Sequence, residues 1–329
     1  MFSSSHTASA NSSTWIPTTK RYTEEVTDMG RGSYTASDWT KLRSSFGNEK
    51  KAEKIFVPKV RNAAPASLSG VFRESRDNED SPESTPVIIG FDVTSSMGYL
   101  AEELALNSLN KAIMYLYENK PILCPQVMCC ALGDCKSDKE PLQVTQFESD
   151  IRIIKQLTEL RLEGGGGGNG GESYNLAWYF AANRTRTDCC EKRGRRGYLI
   201  TIGDDYCHRT LTSSEISRVF GDNAKYDLSN EELIAAAEKK YNVFHICIDR
   251  GTPEDDRVFA DWRSFLSGRT AVIEKNDISC LSELIYALIS VGEGRTPNEA
   301  LSAVEQRAAE KAAKSLAYIN IPDTNTISF

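Results

Sequence analysis

The apolar run Val87-Ile-Ile-Gly-Phe91 stops at Asp92, and hydroxyl residues follow at Thr94 and Ser96 before Gly98 opens an amphipathic stretch. An unbroken apolar run of this length is the signature of a strand buried on both faces, which needs a packed layer on each side of its sheet. The pattern recurs along the chain. Ile122–Leu132 (ending at Gly133-Asp134), Gln143–Phe147, Gly197–Gly203 (entering Asp204-Asp205), Val243–Ile248 and Thr270–Ile273 all read as strands. Helical patterns separate them. Gly98–Asn119 carries the stripe Leu100, Leu104, Leu109, Ile113, Leu116 and Tyr117, and further helices are expected at Asp150–Leu160, Glu172–Asn183, Ser213–Phe220, Asn230–Lys240, Pro253–Leu266 and Ile278–Ser290. Repeated alternation of this kind predicts an α/β fold: a doubly wound, mainly parallel sheet with helices on both faces. Such folds bind ligands beyond the carboxyl ends of the strands, where the strand order reverses.

Three regions are expected. Residues 1–85 form an N-terminal arm that begins with the Ser-, Thr- and Ala-rich stretch Met1–Ser13, which has little to bury and is expected to lack fixed structure. Within the arm, Ser37–Phe46 reads as a short helix with Trp39, Leu42 and Phe46 on one face, a face that either packs on the domain or docks another chain. Arg73–Thr85 reads as the link into the first core strand. Residues 86–292 form the α/β domain. Residues 293–329 form a C-terminal helix and tail, with Thr296-Pro-Asn-Glu299 as the helix start and an alanine stripe running towards Tyr318. That helix either lies on the domain or serves to bind a partner or a second copy.

Composition narrows the functional classes. A net charge of −7 argues against nucleic-acid and anionic-membrane partners, whose footprint is a basic field. The one dense basic cluster, Lys192–Arg196, is flanked by Asp188 and Glu191 and reads as a solvated turn. No apolar run approaches the roughly 20 residues of a membrane helix, and the N-terminus lacks the basic-then-apolar order of a secretory signal. Nine scattered cysteines, two adjacent pairs among them and none at C-x-x-C spacing, suit reduced thiols, so a cytoplasmic setting is expected. Cys207 and His208 beside an acidic loop make only a weak case for zinc.

The chemistry concentrates at three strand ends. Asp92, Thr94 and Ser96 alternate, so an extended turn can aim their oxygens at one point, and hard oxygens select a hard divalent cation. A second loop has six glycines in the seven residues 164–170 and runs into Glu172, Ser173 and Tyr174. It contains no P-loop lysine, but backbone so unencumbered can approach an ion and its bound partner closely. The third loop supplies Asp204 and Asp205, and Asp134 either borders the same site or caps a turn. His245, inside an apolar strand, reads as a satisfied core residue, whereas His208 lies near the acidic loop. No nucleophile elbow is present.

Asp92-x-Thr94-x-Ser96-Met-Gly98 resembles the Asp-x-Ser-x-Ser signature of the von Willebrand factor A (vWA) family, over roughly residues 86–292. The resemblance implies a Rossmann-like domain with a metal-ion-dependent adhesion site (MIDAS) holding Mg²⁺, with Mn²⁺ or Ca²⁺ as alternatives. By that analogy Thr94 and Ser96 ligate directly, Asp92 and Asp204 act largely through water, and Glu172 takes the place of the threonine that the family usually supplies. Asp205, Asp134 and Ser173 are further candidates. The chain departs from the family pattern at Thr94, at Glu172 and in Ile202-Gly-Asp-Asp205, where either aspartate can be the ligand. The implied function is a metal-dependent protein–protein interaction module of the bacterial or phage intracellular type, engaging an acidic group of a partner, in a larger assembly or beside an AAA+ ATPase. A self-assembling scaffold built through arm and tail is the alternative. An enzyme is not expected: haloacid-dehalogenase-like phosphatases want an aspartate where Thr94 stands.

Overall fold

In the computed structural model the residues described are 32–46, 56, 67–94, 97–162 and 170–320. Met1–Ser13, most of the glycine tract and Ser96 lie outside them. The helices are α1 (Ala36–Ser45), α2 (Gly98–Glu103), α3 (Leu109–Asn119), α4 (Arg152–Glu159), α5 (Asn175–Arg184), α6 (Asp188–Arg193), α7 (Ser213–Phe220), α8 (Asn230–Ala237), α9 (Pro253–Phe265), α10 (Leu281–Gly292), α11 (Pro297–Leu301) and α12 (Gln306–Ser315). The strands are β1 (Arg73–Ser75), β2 (Thr85–Asp92), β3 (Pro125–Leu132), β4 (Leu142–Val144), β5 (Thr185–Thr187), β6 (Gly197–Gly203), β7 (Thr210–Leu211), β8 (Leu228–Ser229), β9 (Tyr241–Asp249) and β10 (Thr270–Glu274).

Six strands form the main sheet in the order β10-β9-β6-β2-β3-β4, all parallel except β4, which runs antiparallel at the edge. All eight residues of β2 are buried. Because side chains alternate along a strand, Val87, Ile89 and Phe91 enter the apolar layer with α3, α4, α10 and the tail, while Ile88 enters the opposite layer with α5, α7, α8 and α9. The chain leaves β2 towards β3 on one side and returns through β6 on the other. The crevice between the ends of β2 and β6 is therefore the switch point of the sheet.

The doubly wound architecture read from the sequence is present; Lys192 and Arg193, where the sequence reading had a solvated turn, belong to the short helix α6 (Asp188–Arg193), and four further features differ. The helix after β2 carries a π turn at Leu104–Ser108, which joins α2 to α3. Two further two-stranded pairings appear, β1 with β5 in parallel and β7 with β8 antiparallel, so Arg73–Thr85 is more than a link. The expected helix start at Glu172 is instead extended backbone, and α5 begins at Asn175. The tail is two helices with a break over 302–305 rather than one.

Both terminal segments lie on their own domain. Trp39, Leu42 and Phe46 of the α1 segment pack partly buried on the core, and the buried Tyr34 donates its hydroxyl to Asn110 Oδ1 at 2.8 Å. Ala300, Leu301, Val304, Ala308, Ala312 and Leu316 of the tail are buried in the same layer. The basic cluster is ion-paired: Arg193 with Asp77 at 2.7 Å, Lys192 with Asp188 at 2.7 Å, and Arg195 with Glu293 at 2.5 Å. The nine cysteines are free thiols. Among the described residues no helix is long and apolar enough to cross a membrane.

Candidate functional site

Asp92 ends β2 at the centre of the sheet and is fully buried. Its Oδ1 accepts the Thr94 amide at 2.7 Å, an Asx turn in which the aspartate bonds its own backbone two residues on. Its Oδ2 accepts the Tyr174 hydroxyl at 3.0 Å. Burial, with a smaller push from Asp204, holds the Asp92 carboxyl at about 7, against the Thr94 amide and hydroxyl and the Tyr174 hydroxyl. Thr94 is itself buried.

Asp204 follows β6 across the crevice and is buried. Burial raises its carboxyl pKa and Asp205 adds to this, while the Arg250 guanidinium pulls the other way from 3.2 Å. Asp205 behaves differently: it is half-exposed, and its Oδ1 accepts the neighbouring Tyr206 amide at 2.7 Å. Of the two aspartates left open by the sequence, Asp204 is therefore the one coupled to Asp92.

The glycine loop re-enters at Gly170, whose φ of 76° is the left-handed conformation that glycine adopts without cost. Glu172 then runs beside Cys207 as an isolated parallel bridge, its amide donating to Tyr206 O at 2.8 Å and its carbonyl accepting His208 N at 3.1 Å. This pairing fixes the backbone and carries the Glu172 side chain into the protein. Its Oε2 is buried and has no hydrogen-bond partner among the described residues. Burial, then the negative charges of Asp92, Asp134, Asp138 and Asp205, push the carboxyl up to about 9. A buried carboxyl oxygen without a donor among like charges is the arrangement that a bound cation would relieve.

Two further candidates point elsewhere. Ser173 Oγ accepts the Cys135 amide at 2.9 Å and donates to Asp134 Oδ1 at 3.3 Å. Asp134 also receives His208 Nε2 at 2.8 Å and the Lys136 amide at 3.0 Å, so it organises its own loop, and His208 reaches Asp134 rather than the crevice. Cys207, whose thiol pKa burial pushes up to about 12, directs its thiol to the His208 carbonyl. His245 is only half satisfied: Nδ1 meets Thr201 Oγ1 at 2.8 Å, the ring stacks on Trp262, and Nε2 is buried without a partner.

Three participants were not read from the sequence. Tyr174 braces Asp92, and Gly203 makes room for it, since a Cβ there would stand 1.9 Å from the Tyr174 hydroxyl. Arg250 pairs with Asp204. Tyr99 places a buried hydroxyl, without a partner among the described residues, where Asp204, Arg250, Asp92 and Asp255 all bear on its ionisation. Tyr174 sits next to a residue already singled out, and the Asp249-Arg-Gly251 turn follows a strand, so both positions carried a signal. Tyr99 carried none.

Among the described residues no three His, Cys, Asp or Glu side chains are disposed to hold a metal ion by themselves. The carboxylates of Asp92, Glu172 and Asp204 and the hydroxyl of Thr94 are oxygen donors of the kind a hard cation takes, and among the described residues the Glu172 Oε2 has no partner. No family model and no curated protein matches the chain. Among solved structures, the pilus adhesin SpaC from Lactobacillus rhamnosus GG in an open conformation is similar over 70% of this chain and 31% of its own, with 7% identity and a TM-score of 0.41. Proximal thread matrix protein 1 from the mussel byssus is similar over 63% of this chain and 48% of its own, with 13% identity and a TM-score of 0.35. The chain thus spans about a third of the length of the adhesin.

Proposed function

We propose that this chain is a divalent-metal-dependent protein–protein interaction module of the vWA type, with Mg²⁺ as the expected ion and no catalytic role of its own. The observation that carries the reading is Glu172: a buried carboxyl whose Oε2 has no partner among the described residues, while the charges of Asp92, Asp134, Asp138 and Asp205 oppose its ionisation. Asp92, Thr94, Ser96, Glu172 and Asp204 would hold the ion. When bound, the ion supplies an electrophilic position for a partner's acidic group. The residues of this chain do the rest. The Thr94 amide and Tyr174 hydroxyl keep Asp92 aimed, and the paired backbone of Glu172 and Cys207 fixes where the Glu172 side chain enters the protein. The partner is a protein offering a carboxylate, within a cytoplasmic assembly of which an AAA+ ATPase is a candidate member. The scaffold alternative draws less support, because α1 and the tail are packed on their own domain.

Calorimetric titration of the full chain with Mg²⁺ and Mn²⁺ tests the reading, with Asp92→Ala and Glu172→Ala alongside. Saturable binding to the wild type, abolished in Asp92→Ala and weakened at least about tenfold in Glu172→Ala, is the expected result. Wild-type affinity in Asp92→Ala, with a cooperative fold retained, would sink the site assignment. Sedimentation with and without EDTA separates the scaffold reading, which expects metal-independent self-association.

A further inference from the structure

The loop after β9 brings a fixed positive charge to the acidic crevice. Arg250 Nη1 lies 3.2 Å from Asp204 Oδ2, while its Nη2 and Nε lie 2.8 and 2.9 Å from Asp255 Oδ1. Asp255 is in turn held by the Arg250 amide at 2.9 Å and the Thr252 amide at 2.8 Å, in the first turn of α9. A planar guanidinium gripped this way has its orientation set by Asp255 and presents its remaining edge to Asp204. Both aspartates are buried, whereas the Arg250 side chain is 32% exposed and borders solvent. Asp204 thus already has a cation.

We infer that Arg250 is a built-in competitor for the cation of the proposed site, so that guanidinium and divalent ion contend for Asp204. The inference rests on the metal reading above. An ion reaching Asp204, directly or through water, meets a unit positive charge 3.2 Å from the same carboxylate and must disrupt or repel an existing ion pair. Both effects lower metal affinity. The pair in exchange keeps the metal-free crevice folded by neutralising one of its carboxylates. If Arg250 instead served only to position Asp204 for the metal, its removal would weaken binding, so the two roles differ in sign.

Mg²⁺ calorimetry and thermal unfolding of the full chain decide between them, on the wild type, Arg250→Gln and Arg257→Gln. Arg257 is a control for overall charge, being 72% exposed and paired with Glu254 on the same helix. Arg250→Gln is expected to bind Mg²⁺ about tenfold more tightly, while its Tm in EDTA falls below that of the wild type. Arg257→Gln should shift affinity less than about twofold. Wild-type binding with equal or weaker binding in Arg250→Gln overturns the competition while leaving the metal site standing. Absence of Mg²⁺ binding in the wild type removes the metal reading and this inference together. If Arg250→Gln does not fold, Arg250→Met carries the test, because it keeps the aliphatic stem and removes the charge. Tighter binding than wild type supports competition, and equal or weaker binding overturns it.

Discussion

Asp92 and Glu172 hold their protons in the fold at pH values where an unfolded chain, with carboxyls near 4, has released them. The metal-free native state therefore binds more protons than the unfolded state above pH 4, and its stability falls as pH rises. The contribution of Asp92 is lost through about 7 and that of Glu172 through about 9. Asp77, Asp188 and Asp255, whose pKa values are lowered, add stability that is lost only in stronger acid, outside that window. Urea unfolding in EDTA should show a stability decline between pH 5 and pH 9.5 that Glu172→Gln flattens, the variant being about 2 kcal/mol more stable than wild type at pH 8.5. A wild-type stability that rises across this range would mean that the carboxylates are already compensated. At this scale the sequence revealed the acidic residues but not their partners: the positions of Tyr174 and Arg250 carried a local signal that does not say what they reach, and Tyr99 carried none, because tertiary packing brings all three to the crevice.

Among the elements, the join between β6 and α5 is the tightest. Gly203 ends β6 under the Tyr174 ring, which also meets His245 and Trp262 edge-on. Gly203→Ala would drive a methyl group into the hydroxyl that braces Asp92, with rigid aromatic neighbours and no flexible side chain to give way. The expected cost is about 3 kcal/mol by chemical denaturation, together with weaker Mg²⁺ binding. An unchanged denaturation midpoint would show that Tyr174 can step aside. The long apolar runs made β2 and β6 legible, as did the amphipathic spacing of α7, whose span matches the sequence reading. Strands of two or three residues, as in β1, β5, β7 and β8, hold too few residues for any period to register. The π turn at Leu104–Ser108 is equally silent, since its sequence continues the helical stripe. The break in the tail passed unread because residues 302–305 contain neither glycine nor proline.

For the molecule as a whole, the alternation of runs was enough to give the architecture, and the tail shows what alternation leaves out. An alanine-rich stripe suggested weak packing, yet Leu301, Val304 and Leu316 anchor it in the same apolar layer as α3 and α10. Removing residues 297–329 should cost about 4 kcal/mol and expose apolar surface that binds a hydrophobic dye. Unfolding indistinguishable from wild type would make the tail an appendage. The same segment also lies along β10, and the Asn320 amide reaches the Gly268 carbonyl at 2.8 Å. At the opposite margin the sheet finishes in β4, three residues long and reversed in direction. With one rim lined and the other cut short, the sheet offers little backbone for a neighbouring molecule to extend. Contact between copies at the margins of this sheet would then fall to side chains, and so be open to tuning by salt and by surface substitution.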